Sequence, residues 1–400
     1  MLPLSNLLNF YTVPLLVVLL IFYGMAVVRQ DIALSGSALI LSVGMSVAVG
    51  LAALLGTYPI NHGEIARLIL LVWYIPYVAY LVGYWGIKRV SWVLVGVLLI
   101  HGGWGIAQFA VQHDLGLYRL GESRLSATTT AVAKFALGDQ THKVIRAYGP
   151  YPHANSLAGS LLLGMFVLVV VTRQHRTSFG TNALTVLLLG EILCFSRAAL
   201  VGAFLLIIWA VYDVYRFRGQ KWGLKAGILL GTFVVCAPLL LARATDPADQ
   251  ALTDRAQGYS WFLGLEKNLG WLRGAGPGNY KLALYDYLKA VHILFHPYQL
   301  DFVHSVPLLL LAEWGVVPIL LVVGLVVWLV RRSQVPVYPL WWLVAVLALP
   351  IFLDHYFISQ TAPVLYLMVT VSLLAQRPWV EGGQSAVPTH DGSFQYKPAP

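Results

Sequence analysis

From Val90 to Val111 the chain reads VSWVLVGVLLIHGGWGIAQFAV, directly after Lys88-Arg89. No Asp, Glu, Lys or Arg interrupts it. As helix it extends about 33 Å, enough to cross a hydrocarbon layer of about 30 Å. The pattern recurs on both sides of this stretch. Leu7–Val28, Ala33–Gly56 and Leu68–Ile87 precede it. Ser156–Thr172, Phe179–Phe195, Ala198–Tyr215, Ala226–Ala242, Val306–Val330, Val337–Leu353 and Ala362–Ala375 follow. By the length criterion this is an all-α polytopic integral membrane protein of roughly eleven spans. Composition agrees. With 58% hydrophobic and 11% charged residues and a mean hydropathy of +0.74, a water-soluble fold would carry large apolar patches on its surface. The apolar run of Leu7–Val28 is longer than a signal-peptide core and lacks a basic leader, so it is expected to be a retained anchor.

Lysine and arginine resist translocation, so their clusters in short loops set the orientation. Arg29, Lys88-Arg89, Arg173 and Arg176, Arg216 to Lys225, Arg331-Arg332 and Arg377 fall on one side when the spans alternate. That side is assigned to the cytoplasm. The expected organisation is a four-span region (1–111), an outer loop (112–155), a membrane domain (156–377) containing a large outer segment (243–303), and a tail (378–400). The tail is rich in Gly, Ser, Gln and Pro and is expected to be disordered.

Topology accounts for much of the net charge of +9 without nucleic acid as a partner. Arg119, Arg124, Lys134, Arg146, Arg197, Arg255 and Arg273 nevertheless face outward against the usual bias. An anionic outer ligand would rationalise them, and solvated loop charge is the plainer alternative. Cys194 and Cys236, the two cysteines, lie within apolar runs and offer neither a disulfide framework nor a thiolate metal site.

Four outward stretches hold the polar chemistry. Arg146-Ala-Tyr-Gly-Pro-Tyr-Pro-His153-Ala-Asn155-Ser156 leads a turn-rich, aromatic loop into a span, with Asn155 and Ser156 placed as caps. The same residues suit an ordinary capped helix start in an interfacial aromatic belt. Ser196-Arg197 lodges an arginine between two apolar runs, where mid-membrane placement costs roughly 2.5–3.5 kcal/mol. A function at the membrane surface and a snorkelling side chain both fit. Asp254-Arg255 is followed by Gly274-Ala-Gly276-Pro-Gly278-Asn279-Tyr280, a glycine cluster that lets backbone approach a ligand closely. His304-Ser305 opens a span that reaches Glu313, placing an imidazole suited to acid–base work at the outer surface and a carboxylate deeper on the same helix.

At these residues the chain resembles the O-antigen ligase superfamily, which also contains O-antigen polymerases and protein O-oligosaccharyltransferases. His304-Ser305, nine residues and Gly315 fit that family's last outer-loop element, with Pro318 where a small or hydroxylated residue is usual. His153-Ala154-Asn155 is similar to its His-Pro-Asn element. Ser196-Arg197, the Gly274–Asn279 run and Asp354-His355-Tyr356 resemble further landmarks. The resemblance implies a GT-C-like architecture in a bacterial inner membrane, with the site facing the periplasm or exterior. It also implies transfer of a glycan from an undecaprenyl-diphosphate donor to a hydroxyl on a glycan, lipid or protein acceptor. His304 is then the expected base. Arg197 and Arg255 would stabilise the leaving diphosphate, and Arg146, His153, Asn155, Gly276 and Asn279 would contact substrate. Asp354 and His355 are secondary candidates, and no metal or cofactor is expected. Two alternatives stay open: a polysaccharide polymerase, and a non-enzymatic flippase or transporter of lipid-linked sugar.

Overall fold

The computed structural model describes residues 36–126, 128, 132–136, 143–174, 179–218, 251–295, 300–333, 337–374, 385–388 and 394–397, with isolated positions between 227 and 241. The expected spans Leu7–Val28 and, for the most part, Ala226–Ala242 lie outside the described residues, as does most of 378–400.

The described chain is mostly helical. In order, α1 (Gly36–Leu55), α2 (His62–Trp85) and α3 (Ile87–Val111) lead to a short ladder of β1 (Lys134–Ala136) and β2 (Lys143–Ile145). Then come α4 (Ala154–Gln174), α5 (Phe179–Ile192) and α6 (Arg197–Arg218). The outer segment contributes α7 (Ala251–Leu269) and α8 (Tyr280–Ala290). They precede α9 (Val306–Trp314), α10 (Val316–Ser333), α11 (Val337–Leu353), α12 (Tyr356–Ser359) and α13 (Thr361–Leu374). Four of these, α1, α2, α3 and α4, are long and apolar enough to cross a membrane.

Helix α4 is the centre, enclosed by α3, α5, α6 and α13. Leu157, Ala158, Leu161, Leu162, Leu163, Met165 and Phe166 have no exposed surface, so every face of this helix is packed. Glycines bring its neighbours close. A Cβ on Gly190 would stand 3.2 Å from the Cα of Gly102, and one on Gly105 would stand 2.7 Å from Leu157. Small residues at such crossings replace the hydrophobic drive that lipid removes. The outer faces show the converse pattern. On α3, Val93, Val97 and Ile100 are exposed at 58%, 36% and 67%, and on α10 Leu320, Val323 and Val327 repeat the same spacing. These apolar stripes at helical period point away from the core, as lipid requires and water does not.

Two expectations are corrected. The apolar run Val306–Val330 is not one helix, because α9 ends at Trp314 and Gly315 takes φ +73°. A Cβ there would lie 2.4 Å from the Leu272 carbonyl oxygen, and Val316 N donates to Trp271 O at 2.9 Å. Irregular backbone within a membrane protein survives where other protein covers it, and the outer segment does so here. In the expected disordered tail, Ser385–Pro388 and Phe394–Lys397 pair as an antiparallel hairpin.

Candidate functional site

The site forms where the segment after β2, the start of α4, the loop before α9 and the turn between α11 and α12 meet. The outer loop is first pinned to α3. The Glu122 carboxylate accepts from Trp104 Nε1 at 3.1 Å, Gln108 Nε2 at 2.7 Å, Leu115 N at 2.7 Å and Leu117 N at 2.6 Å. Burial opposes ionisation of Glu122, and these donors outweigh it, lowering its pKa. Gln112 and Gln108 then hold Ile145 N and Gly149 N, each at 2.7 Å. Arg146 is thereby carried into the interior.

The residue is buried, with 6% of its surface exposed. Nε donates to Cys194 O at 2.6 Å, in the tight turn joining α5 and α6, and Nη2 donates to Asn155 Oδ1. Asn155 Nδ2 donates onward to Asp354 Oδ2 at 2.6 Å. Asn155 is therefore a bridge within the first turn of α4 and does not cap it as the sequence suggested. His153 takes that part, since its Nδ1 accepts from Asn155 N at 3.2 Å and its carbonyl accepts from Ser156 N at 3.0 Å.

Asp354 is anchored from both ends. Oδ1 accepts from His355 N at 2.9 Å and lies 3.9 Å from His304 Nδ1, within ion-pair range and beyond hydrogen-bond range. His355 Nδ1 pairs with Ser359 Oγ at 2.6 Å, and its ring lies 5.3 Å from that of His304 and 5.0 Å from that of Phe302, between centroids. Tyr356 covers the back of this turn. A Cβ on Gly159 would come within 2.2 Å of the Tyr356 ring, so only glycine there lets α12 sit against α4. Gly159 is one turn beyond Asn155, and the same close approach brings Asp354 to the asparagine.

The electrostatics follow from burial. His153 is pushed down to about 4, first by the desolvating surroundings and then by Arg146, although the residue itself is exposed. Burial also lowers His355, with Asp354 and Asp301 opposing in part. At Asp354 burial works against the charge, but His304, His355 and His153 outweigh it and hold the carboxyl well below the usual carboxylate range. At neutral pH the cluster is thus an ionised aspartate among imidazoles that hold little charge at His153 and His355.

Arg255 is half-buried on α7, one turn before Tyr259, whose hydroxyl donates to His304 O at 3.0 Å. Its charge acts on Arg146, Tyr259 and Tyr356, which places it at the same end of the molecule. Arg197 is exposed and opens α6 three residues beyond Cys194. Of the residues singled out from sequence, Arg146, His153, Asn155, His304, Asp354 and His355 come together. Arg255 borders them, and Arg197 is tied to them only through the chain, three residues beyond the Cys194 carbonyl that holds Arg146.

Gly276 and Asn279, expected to touch substrate, take part in a structural clasp. Gly276 N donates to Glu313 O at 2.7 Å, and Asn279 Nδ2 donates to Pro59 O at 2.9 Å. Glu313 is the penultimate residue of α9, which opens two residues after His304, so the two stand roughly 13 Å apart by helical rise. The clasp seals the break at Gly315 and is remote from the imidazoles. Sequence reading missed Ser359, Tyr259 and Phe302. Only Ser359 carried a signal, four residues after His355 in a turn.

Comparison with known proteins finds no matching family model, curated protein or solved structure.

Proposed function

We propose that this chain is a membrane glycosyltransferase that moves a glycan from an undecaprenyl-diphosphate carrier to an acceptor hydroxyl, in the manner of the O-antigen ligases. The reading includes roughly eleven spans in a GT-C-like arrangement. It places the chain in a bacterial inner membrane, with the site facing the periplasm or exterior. The observation that carries it is the meeting of Arg146, Asn155, His304, Asp354 and His355 from three distant parts of the chain.

In this reading His304 Nε2 takes the proton of the acceptor hydroxyl as the oxygen attacks the anomeric carbon. Asp354, 3.9 Å from Nδ1, stabilises the imidazolium that forms. The bond from the anomeric carbon to the carrier oxygen breaks, and undecaprenyl diphosphate departs with the electron pair. Arg255, bordering the cluster, and Arg197, at the start of α6, meet the developing charge, each charge-assisted bond contributing about 1.5–3 kcal/mol. A guanidinium pair suffices for a diphosphate leaving group, so the step is written without a metal. Arg146 is tied to Cys194 and Asn155 and acts by positioning Asp354.

The test is transfer from a defined undecaprenyl-diphosphate oligosaccharide in membranes containing chelator. Wild type should form product that Arg197→Ala and Arg255→Ala fail to make at matched expression. Lipid-linked substrate crossing the membrane with no transfer to any acceptor would replace this reading with a transporter.

A further inference from the structure

His304, Asp354 and His355 each offer one donor atom, and these atoms lie within 4.8 Å of one another. Nδ1 of His304 is buried and has no hydrogen-bond partner among the described residues, while its side chain keeps 26% exposure. The other two donors are held from behind. Ser359 Oγ occupies His355 Nδ1 at 2.6 Å, leaving Nε2 as the ring nitrogen for a ligand. Asn155 Nδ2 and His355 N fix the two Asp354 oxygens. An outer layer of hydrogen bonds that fixes the ring tautomer and the carboxylate plane is the arrangement that supports metal ligands.

Two imidazoles and one carboxylate suit Zn²⁺, Co²⁺, Fe²⁺ or Ni²⁺ over Mg²⁺ and Ca²⁺, which prefer oxygen. Three protein donors also leave a coordination position open to water or a substrate oxygen. Donors around a tetrahedral ion at ~2.1 Å stand ~3.4 Å apart. Closing the cluster onto an ion therefore takes a movement of about 1 Å, and no hydrogen bond among the described residues holds His304 Nδ1 against it. Arg146 opposes a cation, but neutral Asn155 stands between its guanidinium and Asp354.

We propose that His304, Asp354 and His355 form a binding site for a first-row divalent transition-metal ion, and that occupancy takes the His304 lone pair and switches transfer off. Binding rests on the three side chains alone. Only the inhibition depends on the transferase reading.

The experiment titrates Zn²⁺ by calorimetry into full-length protein in detergent, stripped beforehand with chelator. One saturable site per chain is expected. His304→Ala, Asp354→Asn and His355→Ala should each weaken it at least about tenfold, and Ser359→Ala should weaken it by about tenfold. The exposed-histidine variants His113→Ala and His292→Ala should leave it unchanged. Because a variant at the cluster could lose its fold, Co²⁺ is also added to unaltered protein, where intense d–d bands displaced by Zn²⁺ report the same site. Absence of both saturable binding and a cobalt spectrum overturns the proposal, and so does binding indifferent to the three ligand substitutions. In the transfer assay Zn²⁺ should abolish turnover and chelator restore it. Binding with unimpaired transfer refutes the inhibitory role. Binding in a chain that transfers nothing refutes the transferase while leaving the site standing.

Discussion

Arg146 shows how one side chain organises the site. Its planar guanidinium reaches the Cys194 carbonyl and the Asn155 amide at once, a fork that an ammonium on a lysine stem does not reproduce. Arg146→Lys is therefore expected to cost about 1–3 kcal/mol, read as a lower midpoint of thermal unfolding in detergent, and to reduce transfer through misplacement of Asp354. A second residue tests burial. Glu266 on α7 has no exposed surface, and both carboxylate oxygens are without partners among the described residues. Burial raises its pKa from 4.5 to about 7. Between those values the folded state binds more protons than the unfolded one, so this group's contribution to stability falls as pH rises and is most unfavourable above 7. Glu266→Gln should stabilise the protein at pH 8 by up to about 3 kcal/mol and change little at pH 4, as measured by thermal unfolding at the two pH values. At this scale the sequence was informative where residue chemistry is rare in a membrane segment. His304, Arg146, Asn155 and the Asp354-His355 pair stood out among apolar neighbours. Tyr259 and Phe302 did not, because one more aromatic residue in an outer segment is indistinguishable from the interfacial belt until its contact is seen.

The elements were legible wherever apolar length alone defines them. Val337–Leu353 was expected and found with the same ends, and α4 begins two residues before its expected start. Hydropathy failed at Gly315 because glycine does not interrupt an apolar run, while φ +73° and the approach of Leu272 do interrupt a helix. Hydropathy was equally silent on the structural part of the Gly274–Asn279 run. Its glycines answer to backbone crowding, since a Cβ on Gly274 would stand 2.7 Å from both Glu313 O and Gly315 N. Gly274→Ala and Gly315→Ala are expected to destabilise the fold by several kcal/mol, roughly the sum of a positive-φ penalty and a backbone clash. Fluorescence-detected size-exclusion should show loss of the monodisperse peak for both, with Gly116→Ala in an open outer turn as the milder comparison.

Over the whole molecule, the exposed apolar stripes on α3 and α10 and the fully packed apolar α4 describe a bundle that is apolar outside as well as inside, unlike a water-soluble protein. Orientation in the bilayer rests on the cations alone. It predicts that a membrane-impermeant maleimide labels His113→Cys in intact cells and Lys88→Cys only after permeabilisation, the native Cys194 and Cys236 being buried. The reverse pattern would put the imidazole cluster in the cytoplasm and remove the lipid-linked donor from its reach. The central claim is that His304 is the base of a glycan transfer, and one measurement addresses it most directly. In proteoliposomes containing undecaprenyl-diphosphate oligosaccharide, acceptor and chelator, wild type should transfer the glycan, and His304→Ala should do so about 10²–10⁴-fold more slowly with donor binding retained. Equal rates for the two proteins would contradict the account.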